Sequence, residues 1–120
     1  MFVIGTETDH IAPWRSVYKT MLFTDCDLTF VLTNGGHNGG ILSEPGHQGR
    51  HFRISHRGSG ALYQGPDPWL AAHDPTPGSW WPAYADWLAT QSSPRAAPPA
   101  MGGKTHPPLC PAPGTYVQQT

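Results

Sequence analysis

The chain has 120 residues, of which 38% are hydrophobic, and it carries a net charge of −1 at neutral pH. This charge provides no basic surface for nucleic acid or an anionic membrane, and no apolar stretch is long enough to cross a bilayer. Because the amino terminus also lacks the features of a signal peptide, we expect a cytoplasmic protein.

The first 42 residues predict a strand, a helix and a second strand. Phe2–Gly5 is a short apolar run, typical of a parallel strand that is buried on both faces. Pro13 suits the first turn of the helix that follows, whose apolar side chains recur at helical spacing: Trp14, Val17, Tyr18 and Met21. Leu28–Leu32 is the second β-prone run, and an Asn-Gly-Gly turn ends it.

An acidic side chain and an imidazole follow these two strands. Asp9 comes after the first strand, and His37, flanked by glycines, comes after the second. A right-handed crossover makes the strands parallel, so both loops emerge at the edge where open α/β sheets bind ligands. The order of acid and then histidine is that of the last two members of an α/β-hydrolase triad. Asp9 and His37 are therefore the candidate catalytic residues.

The residues alone leave other roles open. An aspartate at the end of a strand usually caps a helix or belongs to a loop, and this alternative applies to Asp9. His10 is interpreted as a packing or loop residue, and Trp14 as an aromatic of the core or of a pocket wall.

One strand–helix–strand unit is small for an independent fold. Two parallel strands and one helix bury too little apolar surface to offset their ordering entropy, and the exposed edges of a two-stranded sheet attract further strands. The sequence thus argues against autonomous folding. Since Met1 coincides with the start of a buried strand, we expect a truncated reading frame or a misassigned start codon.

The second part of the chain has weaker patterns. Ser43–Arg50 is rich in turn residues, and His51–Ser55 alternates enough to predict an extended segment. Gly58–Gly78 is expected to be irregular, with one helical turn at Pro68–His73. Trp80–Thr90 predicts a short helix, with a proline tolerated in its first turn.

Tryptophans and prolines characterise the carboxyl-terminal region. Trp80, Trp81 and Trp87 are interpreted as anchors that fix the last helix to the sheet, since aromatic side chains bury large areas. Ser92–Pro113 contains proline too often for regular structure and is expected to be a covering segment or a tail.

The sequence predicts neither a metal site nor a resident cofactor. His47, His51 and His56 would converge only on a helix, and the glycines among them argue against one. Cys26 and Cys110 are far apart in the sequence and lack the Cys-x-x-Cys spacing of zinc sites and redox motifs. Surface histidines and free thiols are the simpler interpretation.

Four motifs occur in order along the chain: TETDHIAPWRSVY, VLTNGGHNGGILSEPG, PGSWWPAYADWLA and APGTYV. Together they resemble the carboxyl-terminal part of the polyhydroxyalkanoate (poly-3-hydroxybutyrate) synthases, from Thr6 to Val117. The aspartate of DHIAPW with the glycine-flanked histidine is the most specific part. GSWWP and APGTYV strengthen the resemblance because generic hydrolases have no reason to carry them.

The resemblance implies an α/β fold class and a division of the chain. Residues 1–92 would be the last strand–helix–strand unit of an α/β-hydrolase sheet together with a carboxyl-terminal helix. Residues 93–120 would be a proline-rich extended tail that ends in APGTYV.

The resemblance also implies a reaction. The family polymerises 3-hydroxyacyl groups from coenzyme A thioesters with release of coenzyme A, through a Cys-His-Asp triad in which Asp9 matches the acid and His37 the base. Its catalytic cysteine lies in an upstream G-x-C-x-G-G turn that this chain lacks, and neither Cys26 nor Cys110 lies in a glycine elbow. We therefore predict an acyltransferase segment that is inactive alone, and a general serine or cysteine hydrolase is disfavoured for the same reason.

The implied partners follow from this reaction. They are 3-hydroxyacyl-coenzyme A and the growing polyester when the missing half is supplied, and a synthase subunit or a second copy of this chain. The alternative is a non-catalytic module that pairs with a synthase, or with the missing half, through its exposed sheet edge. Binding of the last helix to the surface of a polyester granule is a lesser alternative.

Overall fold

A mixed four-stranded sheet organises the chain in the computed structural model, which describes residues 1–119. The strands are β1 (Phe2–Thr6), β2 (Leu28–Thr33), β3 (His51–Arg57) and β4 (Thr76–Pro77), and they lie in that order across the sheet. β1 and β2 are parallel, with Ile4 opposite Val31, whereas β3 and β4 are each antiparallel to the strand before them. The predicted parallel pair is thus confirmed.

Four helices cover the sheet: α1 (Trp14–Tyr18), α2 (Thr20–Phe23), α3 (Pro66–Ala72) and α4 (Trp81–Thr90). The single helix predicted after Pro13 is divided into α1 and α2 at Lys19. The Thr20 hydroxyl donates to the Val17 carbonyl at 2.8 Å, and the Lys19 amide donates to Ser16 at 3.2 Å. These short-range bonds tighten the turn and interrupt the regular helix.

The alternation of side chains along β2 creates two cores, one on each face of the sheet. Leu28, Phe30 and Leu32 are fully buried and pack on one face with aromatic residues of α1 and α3. On the opposite face, Val31 packs with Phe52 and Trp80 beside α4. The result is three layers, helix on sheet on helix, which explains why β2 is apolar on both sides.

The expectation of a two-stranded sheet was wrong. The extended segment predicted at His51–Ser55 is confirmed, but it continues to Arg57 and pairs with β2. The Arg57 guanidinium donates to the Met21 and Thr24 carbonyls at 2.5 Å each, which fastens the end of β3 to the end of α2. β3 therefore covers the edge of β2 that the sequence left open.

Regular structure also extends into the segment predicted to be irregular. The turn expected at Pro68–His73 is part of α3, which begins earlier with Pro66 in its first turn, where a missing N–H has no helical partner to lose. Thr76–Pro77 forms the two-residue strand β4. So short a strand has no periodicity that a sequence could reveal.

The carboxyl-terminal helix was predicted correctly, apart from Trp80, which immediately precedes α4. The Phe2 ring of β1 lies 5.0 Å from that of Tyr84, 5.5 Å from Trp87 and 6.4 Å from Trp80. Trp80 and Trp87 therefore anchor the helix to the sheet as expected. Trp81 packs against the same core, and its indole N–H also donates to the Ile41 carbonyl of a loop.

Beyond residue 92, the described residues form a single 3-10 turn, Tyr116–Gln118, and nearly all are exposed. This agrees with the expected absence of regular structure in the proline-rich segment, whereas the division of the chain at residue 92 stays a prediction. None of the helices within residues 1–119 has the length and apolar character needed to span a membrane.

Candidate active site at the carboxyl ends of β1 and β2

The loops that follow β1 and β2 are fastened to each other. The Glu7 amide donates to the Thr33 carbonyl at 2.9 Å, and the Thr8 amide donates to the Gly35 carbonyl at 3.1 Å. These two bonds extend the parallel pairing beyond the strands, so the residues that come next in each loop lie side by side.

Asp9 and His37 are brought together at this point. Nδ1 of His37 lies 2.8 Å from Oδ2 of Asp9, within hydrogen-bonding distance. The Asp9 side chain is only 6% exposed and that of His37 is 46% exposed. Because the carboxylate accepts from Nδ1, the other ring nitrogen, Nε2, is left as the proton acceptor of this nearly half-exposed side chain.

Three further donors hold the Asp9 carboxylate. Oδ1 accepts the Ile11 amide at 2.8 Å and the Ala12 amide at 2.9 Å, and the Thr6 hydroxyl donates to Oδ2 at 3.2 Å. The bond from the Ala12 amide is the main cause that holds the pKa of Asp9 well below its usual range, while burial opposes it and the bonds from His37 and Ile11 add to it. Asp9 is therefore ionised at neutral pH, and it both caps the turn before α1 and orients the imidazole.

Two glycines permit the tight loop around His37. Gly35 has φ of 104°, a conformation that side chains rarely adopt. A Cβ on Gly40 would lie 2.5 Å from Cγ2 of the buried Thr6. The loop thus lies directly against the end of β1, which sets the distance between the histidine and the aspartate.

Two adjoining hollows surround the His37 ring. The first, of about 160 Å³, contains Asp9 and His37, with Ile4 and Val17 among its lining side chains. The second is more open, with a volume of about 430 Å³, and His37 and Ile41 both line it. The imidazole therefore stands between a small pocket and an accessible surface.

Neither cysteine lies at this site. Cys26 precedes β2 and His37 follows it, so the length of the strand, about 20 Å, separates them. Cys110 is exposed in the proline-rich segment, and both thiols are free. The geometry agrees with the sequence interpretation that neither residue replaces the nucleophile.

The remaining candidate residues lie elsewhere. His10 is exposed in the loop beside Asp9, and Trp14 is a core residue that is only 6% exposed. His47, His51 and His56 lie near three different partners, namely Glu44, Glu7 and Thr29. Within residues 1–119, no cluster of three or more His, Cys, Asp or Glu side chains is arranged to hold a metal ion.

Sequence reasoning missed two contributors to the site. One is Thr6, which could have been noticed as a hydroxyl at the end of a strand that precedes the candidate acid. The other is the segment Ser79–Trp81, whose side chains donate to the loop after His37. The GSWWP motif drew attention to these residues, but it was interpreted as helix packing alone.

Comparison with known proteins identifies relatives over nearly the whole chain, although no family model matches it. Poly(3-hydroxyalkanoate) polymerase 2 of Ectopseudomonas oleovorans is 38% identical over 117 residues, which are 97% of this chain and 20% of the relative. A poly(3-hydroxyalkanoate) polymerase subunit of Cupriavidus necator is 37% identical over 118 residues, 98% of this chain and 19% of the relative. The poly(3-hydroxyalkanoate) polymerase of Methylorubrum extorquens is 35% identical over 119 residues, with the same two coverages.

The chain thus spans about a fifth of the length of the curated relatives that it matches. Their shared description agrees with the resemblance that the four motifs indicated. Over nearly its whole length, the chain is therefore similar to one part of the poly(3-hydroxyalkanoate) polymerases.

Proposed function

We propose that this chain supplies the acid and the base of an acyl-transfer site whose nucleophilic cysteine lies on another polypeptide segment. The bond of 2.8 Å between Asp9 and His37, at the carboxyl ends of adjacent parallel strands, is the observation that carries the proposal. The likeness to the poly(3-hydroxyalkanoate) polymerases supplies the reaction class, the polymerisation of 3-hydroxyacyl groups from coenzyme A thioesters.

His37 acts as the general base in each half of this reaction. Its Nε2 takes the proton of the cysteine thiol, and the thiolate attacks the carbonyl carbon of the coenzyme A thioester. The carbon–sulfur bond to coenzyme A breaks, and the leaving thiolate takes that proton back from the imidazolium. His37 then takes the proton of the incoming hydroxyl, whose oxygen attacks the carbonyl carbon of the acyl-cysteine. The carbon–sulfur bond to the cysteine breaks, which leaves the ester, and the cysteine thiolate takes the proton from the imidazolium.

Asp9 makes this sequence of proton transfers efficient. Its carboxylate keeps the proton of the neutral imidazole on Nδ1, so that Nε2 faces the thiol or hydroxyl, and it stabilises the imidazolium that forms. The two backbone amides at Oδ1 keep the carboxylate ionised and fixed in place.

The open edge of β1 could pair with a further strand of an α/β-hydrolase sheet. β1 lies at the edge of the sheet, and in the described part of the chain no strand pairs with its outer side. A parallel strand from the cysteine-bearing segment would extend the sheet there and bring a nucleophile elbow to the same edge as Asp9 and His37.

The same open edge favours the second candidate function, a non-catalytic module that binds a synthase subunit or a second copy of the chain. Exposed strand edges pair readily with other chains. In that case Asp9 and His37 would be inherited from a catalytic ancestor but would have no thiol to deprotonate.

Complementation separates the two functions. The chain is mixed or co-expressed with a truncated Cupriavidus necator relative that lacks its matching fifth, and coenzyme A release from 3-hydroxybutyryl-coenzyme A is measured. We expect release that falls by about 10²- to 10⁴-fold in His37→Ala, the usual contribution of a general base. His10→Ala, an exposed neighbour of Asp9, is the matched control and should retain activity. Binding without release would favour the interaction module, and release that survives His37→Ala would contradict the catalytic proposal.

A further inference from the structure

Four successive carbonyl groups after His37 accept hydrogen bonds from side chains. The chain forms one helical turn there, in which the Gly40 amide donates to Gly36 and the Ile41 amide to Asn38. A helical turn leaves the carbonyls at its carboxyl end without backbone partners. The carbonyls at the end of the His37 turn therefore need hydrogen-bond donors from other segments of the chain if the turn is to stay in place.

The donors come mainly from three consecutive residues, which we name the Ser-Trp-Trp clamp: Ser79, Trp80 and Trp81. The bonds run from the Trp80 indole to Gly40 at 3.2 Å, from the Trp81 indole to Ile41 at 2.9 Å, from the Arg50 guanidinium to Leu42 at 3.1 Å and from the Ser79 hydroxyl to Ser43. The turn that carries His37 is thus capped by side chains along its whole carboxyl end.

The clamp is itself fixed to the sheet. The Trp80 side chain is buried against Val31 and Phe52 of the sheet, and the Ser79 hydroxyl oxygen also accepts a hydrogen bond from the Trp81 amide at 3.0 Å. Directly before the clamp, the Gly78 amide donates to the Arg50 carbonyl at 2.7 Å. A displacement of the His37 turn would therefore have to break bonds to a rigid support.

The His37 ring depends on this support because packing does little to hold it. Its side chain is nearly half exposed, and its only described side-chain bond is the one to Asp9. Its position is consequently set by the backbone of its loop.

We propose that Ser79, Trp80 and Trp81 are positioning residues that hold the His37 turn at bonding distance from Asp9. The proposal rests on the proposed function, since the position of this ring matters for catalysis only if His37 is the base. It adds a role for GSWWP beyond the packing of α4.

The test compares Trp81→Phe with Trp87→Phe in the full chain. The first change removes the indole N–H that bonds to the turn, whereas Trp87 stacks on Tyr84 and serves as a matched control from the same helix. Nuclear magnetic resonance would follow hydrogen exchange at the amides of residues 40–42 and the Nδ1 proton of His37. We expect about fivefold faster exchange and loss of the Nδ1 signal in Trp81→Phe only, as for a segment that loses one net hydrogen bond.

Ser79→Ala provides a second, smaller change, and Ser79→Thr, which keeps the hydroxyl, should restore the wild-type exchange. If Trp81→Phe fails to fold, the comparison of Ser79→Ala with Ser79→Thr alone tests whether the clamp holds the His37 turn. Unchanged exchange in the clamp variants, or an equal rise in Trp87→Phe, overturns the proposal. Neither readout involves turnover, so release of coenzyme A that survives His37→Ala would overturn the proposed function separately.

Discussion

The Asp9 carboxylate unites a structural role with a chemical one. Its Oδ1 accepts two amides of the following turn, as an ordinary capping aspartate does, and its Oδ2 faces His37. The two interpretations that the sequence left open for this residue are therefore compatible. The residue type and its place after a strand could be predicted, whereas the Thr6 hydroxyl and the Ala12 amide depend on how the loop folds back.

The pH dependence of stability should reveal the ionised Asp9. Because its pKa is lower in the folded protein than in the unfolded chain, its charge stabilises the fold above the ordinary aspartate pKa of about 4, and this contribution is lost as the pH falls through the folded value. We expect wild type to be more stable than Asp9→Asn near pH 7. The difference should narrow as urea unfolding is repeated from pH 5 to pH 3.

Asp74→Asn is the control for that experiment, because it removes the charge of an exposed aspartate. If the stability difference between wild type and Asp9→Asn stays constant down to pH 3, the charge on Asp9 contributes nothing to the free energy of unfolding.

At the scale of elements, the apolar runs identified β1, β2 and α4 because each one has a recognisable apolar face, which is buried in β2 and half-buried in α4. Leu28–Thr33 is buried on both sides, which is why a nearly continuous apolar run predicted it correctly. β3 has only Phe52 buried, so its pattern revealed an extended segment but gave no indication of its antiparallel partner. The bonds from Ser79–Trp81 to the His37 loop join segments about 40 residues apart, and no local pattern encodes them.

A pair of neighbouring glycines tests the fit of the His37 loop against β1. A Cβ at Gly40 would meet the buried Thr6, while a Cβ at Gly39 would meet nothing within 4 Å. We expect Gly40→Ala to lower the free energy of unfolding by about 1–3 kcal/mol, as overpacking does, and Gly39→Ala to change it by less than about 0.5 kcal/mol. Urea denaturation of both variants measures the difference, and equal values would mean that the loop does not lie against Thr6.

At the scale of the whole molecule, the edge of β1 is the feature that a larger assembly would use. The Thr29 amide donates to the Met1 carbonyl and the Glu7 amide donates to Thr33, so odd-numbered residues of β1 bond to β2. Because neighbouring residues of a strand bond in opposite directions, the Ile4 amide points outward from the sheet.

Ile4→Pro should therefore block strand addition and leave the pairing with β2 intact. Ile4→Ala is the control, since it loses the same apolar side chain but keeps the outward N–H. We expect complementation with the truncated relative to be lost in Ile4→Pro and retained in Ile4→Ala, as measured by co-purification. Retention in both variants would mean that another surface joins the two parts.

The proposed role of Asp9 and His37 is to activate a cysteine thiol on another polypeptide segment. The most direct measurement is mass spectrometry of the complemented mixture after brief exposure to 3-hydroxybutyryl-coenzyme A, which locates the acylated cysteine. We expect a 3-hydroxybutyryl group on the partner segment, formed far more slowly with His37→Ala, and none on this chain. Acylation of Cys26 or Cys110, or acylation of the partner at an unchanged rate with His37→Ala, would contradict it.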